Sequence, residues 1–330
     1  MHDTPLLWDA LIVGGGPAGL SAAIYLGRSR RSTLLVHSAH SMAKWEKDVQ
    51  NYLGFPDGID GQDLLTRGLA QARRYKVRVL EDTVQSIRPT GAHFELEGSI
   101  QPYRAKRVLL ATGLTHLPPK LEGVRECLGH SLFFCKDCDA HRVQGKRIAI
   151  IGHNAEAAEY ALAMLLFTSS VMICTNGTEP AWSSDHHRWI GDAAIPVRTP
   201  RIRTLEHENG HIRSLTFEAG QEVSLDAAFT TRGDIVHNAL AAGVGAELDG
   251  GGQVVVDACM RTSIPGLYAA GCLTPANCQM IIAAGQGATA GQAINRDLFE
   301  QSLRTNCLPR LEEQPKTGAA AGTGKGAAKS

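Results

Sequence analysis

The run Gly14-Gly15-Gly16-Pro17-Ala18-Gly19 constrains the fold of this chain more than any other feature. It follows a short apolar stretch, Trp8 to Val13, and precedes an Ala-rich helical pattern reaching about Gly27. A second apolar stretch, Thr33 to Val36, comes next, so the order reads strand, glycine turn, helix, strand. In Gly14-x-Gly16-x-x-Gly19 the first glycine permits the tight turn and the second lets the backbone approach a pyrophosphate. The third lets helix and strand pack closely, and free N–H groups at the helix start face the phosphates. Alone, such a motif can be no more than a glycine-rich turn. Support comes from Ala111-Thr112-Gly113 and Tyr268-Ala269-Ala270-Gly271, short strands ending in small residues where the backbone can approach a ligand again.

The same theme returns once. From Asn51 to Gly61 the chain is loop-like, a helix is expected from about Gln62 to Tyr75, and Pro118-Pro119 reads as a linker. Near Gly145 a second unit begins, with a strand at Arg147–Ile151, a helix at Ala155–Phe167 and a strand at Val171–Cys174. Thr175 to Pro200 reads as irregular, and a Gly/Ala-rich helix from about Ala283 to Phe299 closes the fold. Residues 308–330 offer almost nothing to bury and are expected to form a disordered tail. The fold class is α/β, with two Rossmann-like three-layer units.

Composition narrows the function. Lys plus Arg and Asp plus Glu both number 33, so no global charge draws the chain to nucleic acid or an anionic membrane. No apolar stretch nears the roughly 20 residues that span a bilayer, and no basic segment leads an apolar run at the start. Eight cysteines in 330 residues do not make a secreted disulfide framework. A soluble, cytoplasmic enzyme is expected.

Chemistry concentrates at Cys135-Lys136-Asp137-Cys138-Asp139. Two cysteines separated by two residues can close a disulfide, and a low-pKa thiolate in such a pair can exchange with a partner's disulfide. Zinc would need two more ligands; His141 is near, but there is no second CxxC, and Cys272 with Cys278 is poorly spaced for one. The polar neighbours Lys136, Asp137 and Asp139 argue against an inert apolar site. A redox pair is the preferred reading, with no metal. Cys127, Cys174, Cys259 and Cys307 are isolated and read as small core or surface residues.

Taken in order, Gly14 to Gly19, Asn51 to Pro56, Ala111 to Gly113, Cys135 to Asp139 and Thr262 to Gly271 resemble the bacterial-type, low-molecular-weight thioredoxin reductases, over about Ala10 to Phe299. The resemblance implies a discontinuous FAD domain, residues 1–118 and 241–307, with an inserted dithiol domain at 119–240, and a homodimer. It implies that Cys138 lies nearest the flavin, that Cys135 attacks the protein disulfide, and that Asp139 is the acid/base. Cofactor contacts are implied for Gly14, Gly16, Pro17, Ala18, Gly19, His37, Asn51, Thr112, Gly113, Gly271, Cys272, Gln279 and Met280. Cys272 stands where the family has an aspartate for the ribityl chain, and its thiol would be a weaker partner. Thioredoxin or a similar dithiol protein is the implied partner.

The second glycine motif departs from the family. Where NADPH-using members have Gly-x-Gly-x-x-Ala, this chain has Gly152-His153-Asn154-Ala155-Glu156-Ala157. Cys174-Thr175-Asn176 and Pro180 replace the His-Arg-Arg run and further arginine that grip the 2′-phosphate, and Glu179 would repel it. The chain thus resembles most the branch that lacks pyridine-nucleotide signatures. That branch includes ferredoxin-dependent reductases, dithiol oxidases that use oxygen, and members with no assigned donor. A non-catalytic flavin redox sensor is the alternative of another class. His186 and His187, with the nearby tryptophans, are candidates to fill the vacated cleft.

Overall fold

The computed structural model describes residues 5–308, so the expected tail beyond Leu308 lies outside the described residues. The chain opens with β1 (Leu7–Val13), α1 (Pro17–Arg28) and β2 (Thr33–His37). After a 3-10 turn at Met42–Trp45 come α2 (Gly61–Arg74), β3 (Arg78–Glu81), β4 (Val84–Pro89), β5 (Phe94–Gly98), β6 (Pro102–Leu110) and β7 (Leu114–His116). The middle holds α3 (Val124–Cys127), β8 (Leu132–Phe133), α4 (Lys136–Asp139), β9 (Ile148–Ile151), α5 (Ala155–Met164) and β10 (Val171–Cys174). Then follow α6 (Ser184–Asp192), β11 (Val197–Arg198), β12 (Ile202–Glu208), β13 (His211–Phe217), β14 (Glu222–Ser224) and β15 (Ala227–Thr230). β16 (Asp234–Val236), α7 (Ala239–Gly243), β17 (Leu267–Ala269) and α8 (Met280–Arg304) complete the order.

Two sheets, one mixed and one parallel, organise the molecule. The first has seven strands in the order β3-β2-β1-β6-β5-β4, with β17 added beside the end of β6. β1 is parallel to β2 and β6, while β4 and β5 continue the sheet as antiparallel strands. Its central strands are buried on both faces, which is why they read as unbroken apolar runs rather than as alternation. Ala10 and Ile12 pack toward α1 and α8, whereas Leu11 and Val13 face Val84, Ala241 and Leu267. Both ends of the chain therefore build one core.

The second sheet has five strands, β11-β10-β9-β15-β8, all parallel. Ile148 to Ile151 at its centre are fully buried. α5 and α6 cover one face, and the antiparallel β12-β13-β14 layer brings Leu205, Leu215 and Phe217 onto the other. Where the chain passes between the two sheets, β7 and β16 pair antiparallel as a two-stranded ribbon.

Three element readings need correction. The stretch expected to be irregular contains α6. Ser183 caps it by accepting the His186 N–H, and buried Trp182 and Ile190 fix it against the sheet. Helix α5 ends at Met164 rather than Phe167. Helix α8 runs from Met280 to Arg304, longer at both ends than the Gly/Ala pattern suggested. No described helix is long and apolar enough to cross a membrane.

Candidate active site

A cavity of about 940 Å³ opens at the C-terminal ends of β1, β2, β6 and β17, the edge where parallel α/β sheets bind ligands. Gly14, Gly16, Pro17, Ala18, His37, Asn51, Thr112, Gly113, Gly271, Cys272, Gln279 and Met280 all line it, together with Cys135, Cys138 and Asp139. Helix α1 starts there with Gly16 as its N-cap and no side chain capping it, which leaves first-turn N–H groups free for an anion. At Gly14, φ is +120° and a Cβ would fall 2.1 Å from the Ala111 carbonyl oxygen, so only glycine lets these two strand ends meet.

Gly19 is placed differently. It is buried behind the turn, outside the cavity wall, and a Cβ there would lie 1.9 Å from the Gly14 carbonyl oxygen. Its part is the close packing of helix on turn. His37, at the end of β2, accepts the Ala39 N–H at Nδ1 (3.1 Å), and burial holds its pKa below the ordinary histidine value. A neutral ring so bonded carries its proton on Nε2, where it can donate to a ligand hydroxyl.

The second unit contributes the sulfurs. Cys135 and Cys138 are disulfide-bonded and half-buried, facing the cavity from the start of α4. The Cys138 N–H points at Cys135 Sγ (3.1 Å), an arrangement that would also stabilise a Cys135 thiolate. Gln279, at the N-cap of α8, directs its amide Nε2 at both Cys135 Sγ and Cys138 Sγ, each at 3.3 Å, while Asn51 donates to its Oε1 at 2.9 Å. The resemblance directs the backbone of Gln279 toward the flavin; its side chain also holds the dithiol.

Two acids stand behind the pair. The Asp139 side chain is 3% exposed, and burial raises its pKa although Arg142 Nη1, 2.9 Å away, pulls it back. The Glu46 carboxyl is pushed up to about 7, first by burial and then by the charge of Asp139, against the opposing charges of Arg142, His116 and Lys47. Motif matching alone did not single out Glu46, because it lies in a loop brought to the site only by the packing of the two units.

Cys272 is not a free thiol. It is bonded to Cys278, their Cα atoms 5.0 Å apart. Thr274 makes this possible: its N–H and Oγ1 both bond the Gly271 carbonyl oxygen (2.9 Å each), turning the loop between the two cysteines back on itself. The expected weak thiol partner for a ribityl chain is therefore absent while this disulfide is closed. The spacing that excluded zinc is compatible with a disulfide, an alternative the sequence reading did not weigh.

At the second glycine motif, Asn154 fills the place of the missing glycine. Its Oδ1 accepts the Ala157 N–H (3.1 Å) and the Thr231 hydroxyl (3.0 Å), and its Nδ2 donates to the Thr231 carbonyl oxygen (3.2 Å). The helix N-terminus that would face a pyrophosphate is thus capped from within. Beside it, the Ala181 N–H donates to the His153 carbonyl oxygen at 2.6 Å. His186 and His187 lie on α6, where His186 bonds Ser183 and His187 packs on Trp182, so neither accounts for the filling of the turn. Cys174, Thr175 and Asn176 bring no cation to the end of β10, but the pairing of β11 sets Arg198 opposite Cys174. The buried Nε of Arg198 has no hydrogen-bond partner.

Comparison with known proteins gives the same class. Residues 8–290 match the family model described as pyridine nucleotide-disulphide oxidoreductase. The chain is 30% identical over 297 residues to a thioredoxin reductase of Treponema pallidum, covering 87% of this chain and 95% of that one. Among solved structures it is similar to a protein from Bacillus anthracis described as a thioredoxin reductase, at 31% identity and a TM-score of 0.82, covering 89% and 99% of the two chains. It is also similar to an atypical thioredoxin reductase from Desulfovibrio vulgaris Hildenborough, at 29% identity, covering 90% and 99%, but with a TM-score of 0.51. The chain belongs to the pyridine nucleotide-disulphide oxidoreductase family. Within it, the chain is a thioredoxin-reductase-like flavoprotein disulfide oxidoreductase.

Proposed function

We propose that this protein binds FAD in the 940 Å³ cavity and passes electrons between it and a protein disulfide, thioredoxin or a similar partner, through Cys135 and Cys138. The observation that carries the proposal is that a single cavity is walled by the uncapped start of α1, by the glycine turns after β1, β6 and β17, and by both sulfurs. The residues fit the cofactor: free N–H groups at α1 for the pyrophosphate, His37 Nε2 for a ribose hydroxyl, and open space at Gly113, where a Cβ would meet nothing within 4 Å. Once bound, the flavin supplies two-electron chemistry beside the disulfide. Residues 1–118 and 241–307 would form the cofactor domain, and 119–240 the dithiol domain.

The chain's own groups handle the sulfur. Cys135 attacks the partner's disulfide; Gln279 Nε2 and the Cys138 N–H steady the thiolates; Asp139, with its raised pKa, holds the proton that the leaving thiolate takes. NADPH is a poor donor in this reading. The side chain of Asn154 satisfies the helix start that the pyrophosphate would need, and Thr231 Oγ1 lies 2.1 Å from where a Cβ of Gly152 would be. A dithiol or a one-electron protein such as ferredoxin remains as the source.

The test is anaerobic flavin bleaching by NADPH, NADH, reduced ferredoxin and dithiothreitol, followed by turnover with thioredoxin. Bleaching by dithiothreitol or ferredoxin, slow or absent bleaching by the nicotinamides, and no turnover in Cys135→Ser or Cys138→Ser are expected. Rapid bleaching by micromolar NADPH would return the chain to NADPH-linked reductases, with Arg198 the first residue to examine. Full turnover in the double cysteine variant would move the chemistry elsewhere.

A further inference from the structure

We infer that Cys272–Cys278 is a second redox-active disulfide, in exchange with Cys135–Cys138, so that each chain stores two electron pairs as thiols. All four cysteines line the one cavity, and both members of the second pair are half-buried rather than sealed in the core. Cys278 immediately precedes Gln279, whose amide lies 3.3 Å from both sulfurs of the first pair, and consecutive Cα atoms are only about 3.8 Å apart.

The second disulfide is a weaker brace than a long-range one. Its loop is short, so closing it removes less entropy from the unfolded chain than closing a long loop would. The loop is also held without it. Thr274 bonds Gly271, the Val254 N–H bonds the Leu273 carbonyl oxygen (2.8 Å), and Gln253 Nε2 bonds the carbonyl oxygens of Cys272 (3.3 Å) and Thr274 (2.7 Å). A solvent-reachable disulfide beside a dithiol, on a loop already pinned, is placed for exchange.

The step balances within the chain. A thiolate of the reduced Cys135/Cys138 pair attacks one sulfur of Cys272–Cys278, whose S–S bond breaks as a mixed disulfide forms. The remaining thiolate of the first pair then attacks that mixed disulfide. Cys135–Cys138 re-forms and Cys272 and Cys278 are left reduced, with two electrons and two protons moved from the first pair to the second. The initial electrons come from an external dithiol or from the flavin.

This rests on the disulfide-oxidoreductase reading only for the reactivity of Cys135 and Cys138, and its test reads covalent bonds, not turnover. The protein is treated anaerobically with limiting dithiothreitol, quenched with N-ethylmaleimide and mapped as peptides. In Cys135→Ser and Cys138→Ser, the remaining cysteine is expected in a mixed disulfide with Cys272 or Cys278. In the Cys135→Ser, Cys138→Ser double variant, Cys272–Cys278 should open at least tenfold more slowly than in the wild type. Absence of any mixed-disulfide peptide in both single variants, or opening at an unchanged rate in the double variant, overturns the inference.

Discussion

Asp139 and Glu46 share a half-dry corner behind the dithiol, and their charges oppose one another. Glu46 titrates at about 7 in the folded chain against an ordinary value of 4.5. The folded state therefore binds more protons than the unfolded state between these values, and stability falls as pH rises through that window. The stabilisation relative to a charged carboxylate is fully present below pH 4.5 and is lost as pH passes 7. The shift corresponds to roughly 3–3.5 kcal/mol at most. Glu46→Gln should match the wild type near pH 4.5 and exceed it in thermal unfolding midpoint at pH 8; equal pH profiles for the two would show that Glu46 ionises without cost. At this scale the sequence disclosed Cys135, Cys138 and Asp139, which sit in one local motif. It did not disclose Glu46, Arg142 or the Cys272–Cys278 bond, whose roles arise from packing and from a turn made by Thr274.

Helices α1 and α8 come from opposite ends of the chain and meet through small residues. A Cβ on Gly287 would stand 2.0 Å from the Ala18 carbonyl oxygen, and one on Gly291 3.0 Å from Tyr25 Cβ. This contact positions both the start of α1 and Gln279 at the cavity, so packing there reaches the site. Gly287→Ala should cost about 1–3 kcal/mol in denaturant unfolding, since backbone, not a flexible side chain, blocks the added methyl. Gly285, two residues earlier, is exposed and has nothing within 4 Å, so Gly285→Ala should stabilise by roughly 0.5–1 kcal/mol through helix propensity alone. Equal effects at the two positions would show that close helix approach is not what fixes glycine at 287. Elements with strong apolar runs, β1, β9 and β10, were legible because burial on both faces leaves a continuous signal. Helix α6 was not, because its polar face dominates the composition and Ile190 is the one buried residue within it.

For the whole molecule, the disulfide faces the cavity where the two units meet. Trp45 and Phe134 pack at 5.9 Å, His116 stacks on Phe134 at 4.8 Å, and His141 Nε2 meets Gln50 Oε1 at 3.2 Å. These contacts mix aromatic packing with polar pairs, as interfaces do across which units move. A small disulfide needs only a narrow opening to reach Cys135, whereas a folded protein is expected to need the units to part before its own disulfide arrives there. Gln50 and His141 are both exposed, one on each side. In a chain with Cys307→Ser, Gln50→Cys and His141→Cys, a short bis-maleimide bridge should therefore lower turnover of thioredoxin at least tenfold. Reduction of a small aromatic disulfide should fall less than threefold, and a one-armed maleimide should leave both rates intact. Undiminished thioredoxin turnover in the bridged protein would mean that Cys135 is reached with the units held as they are.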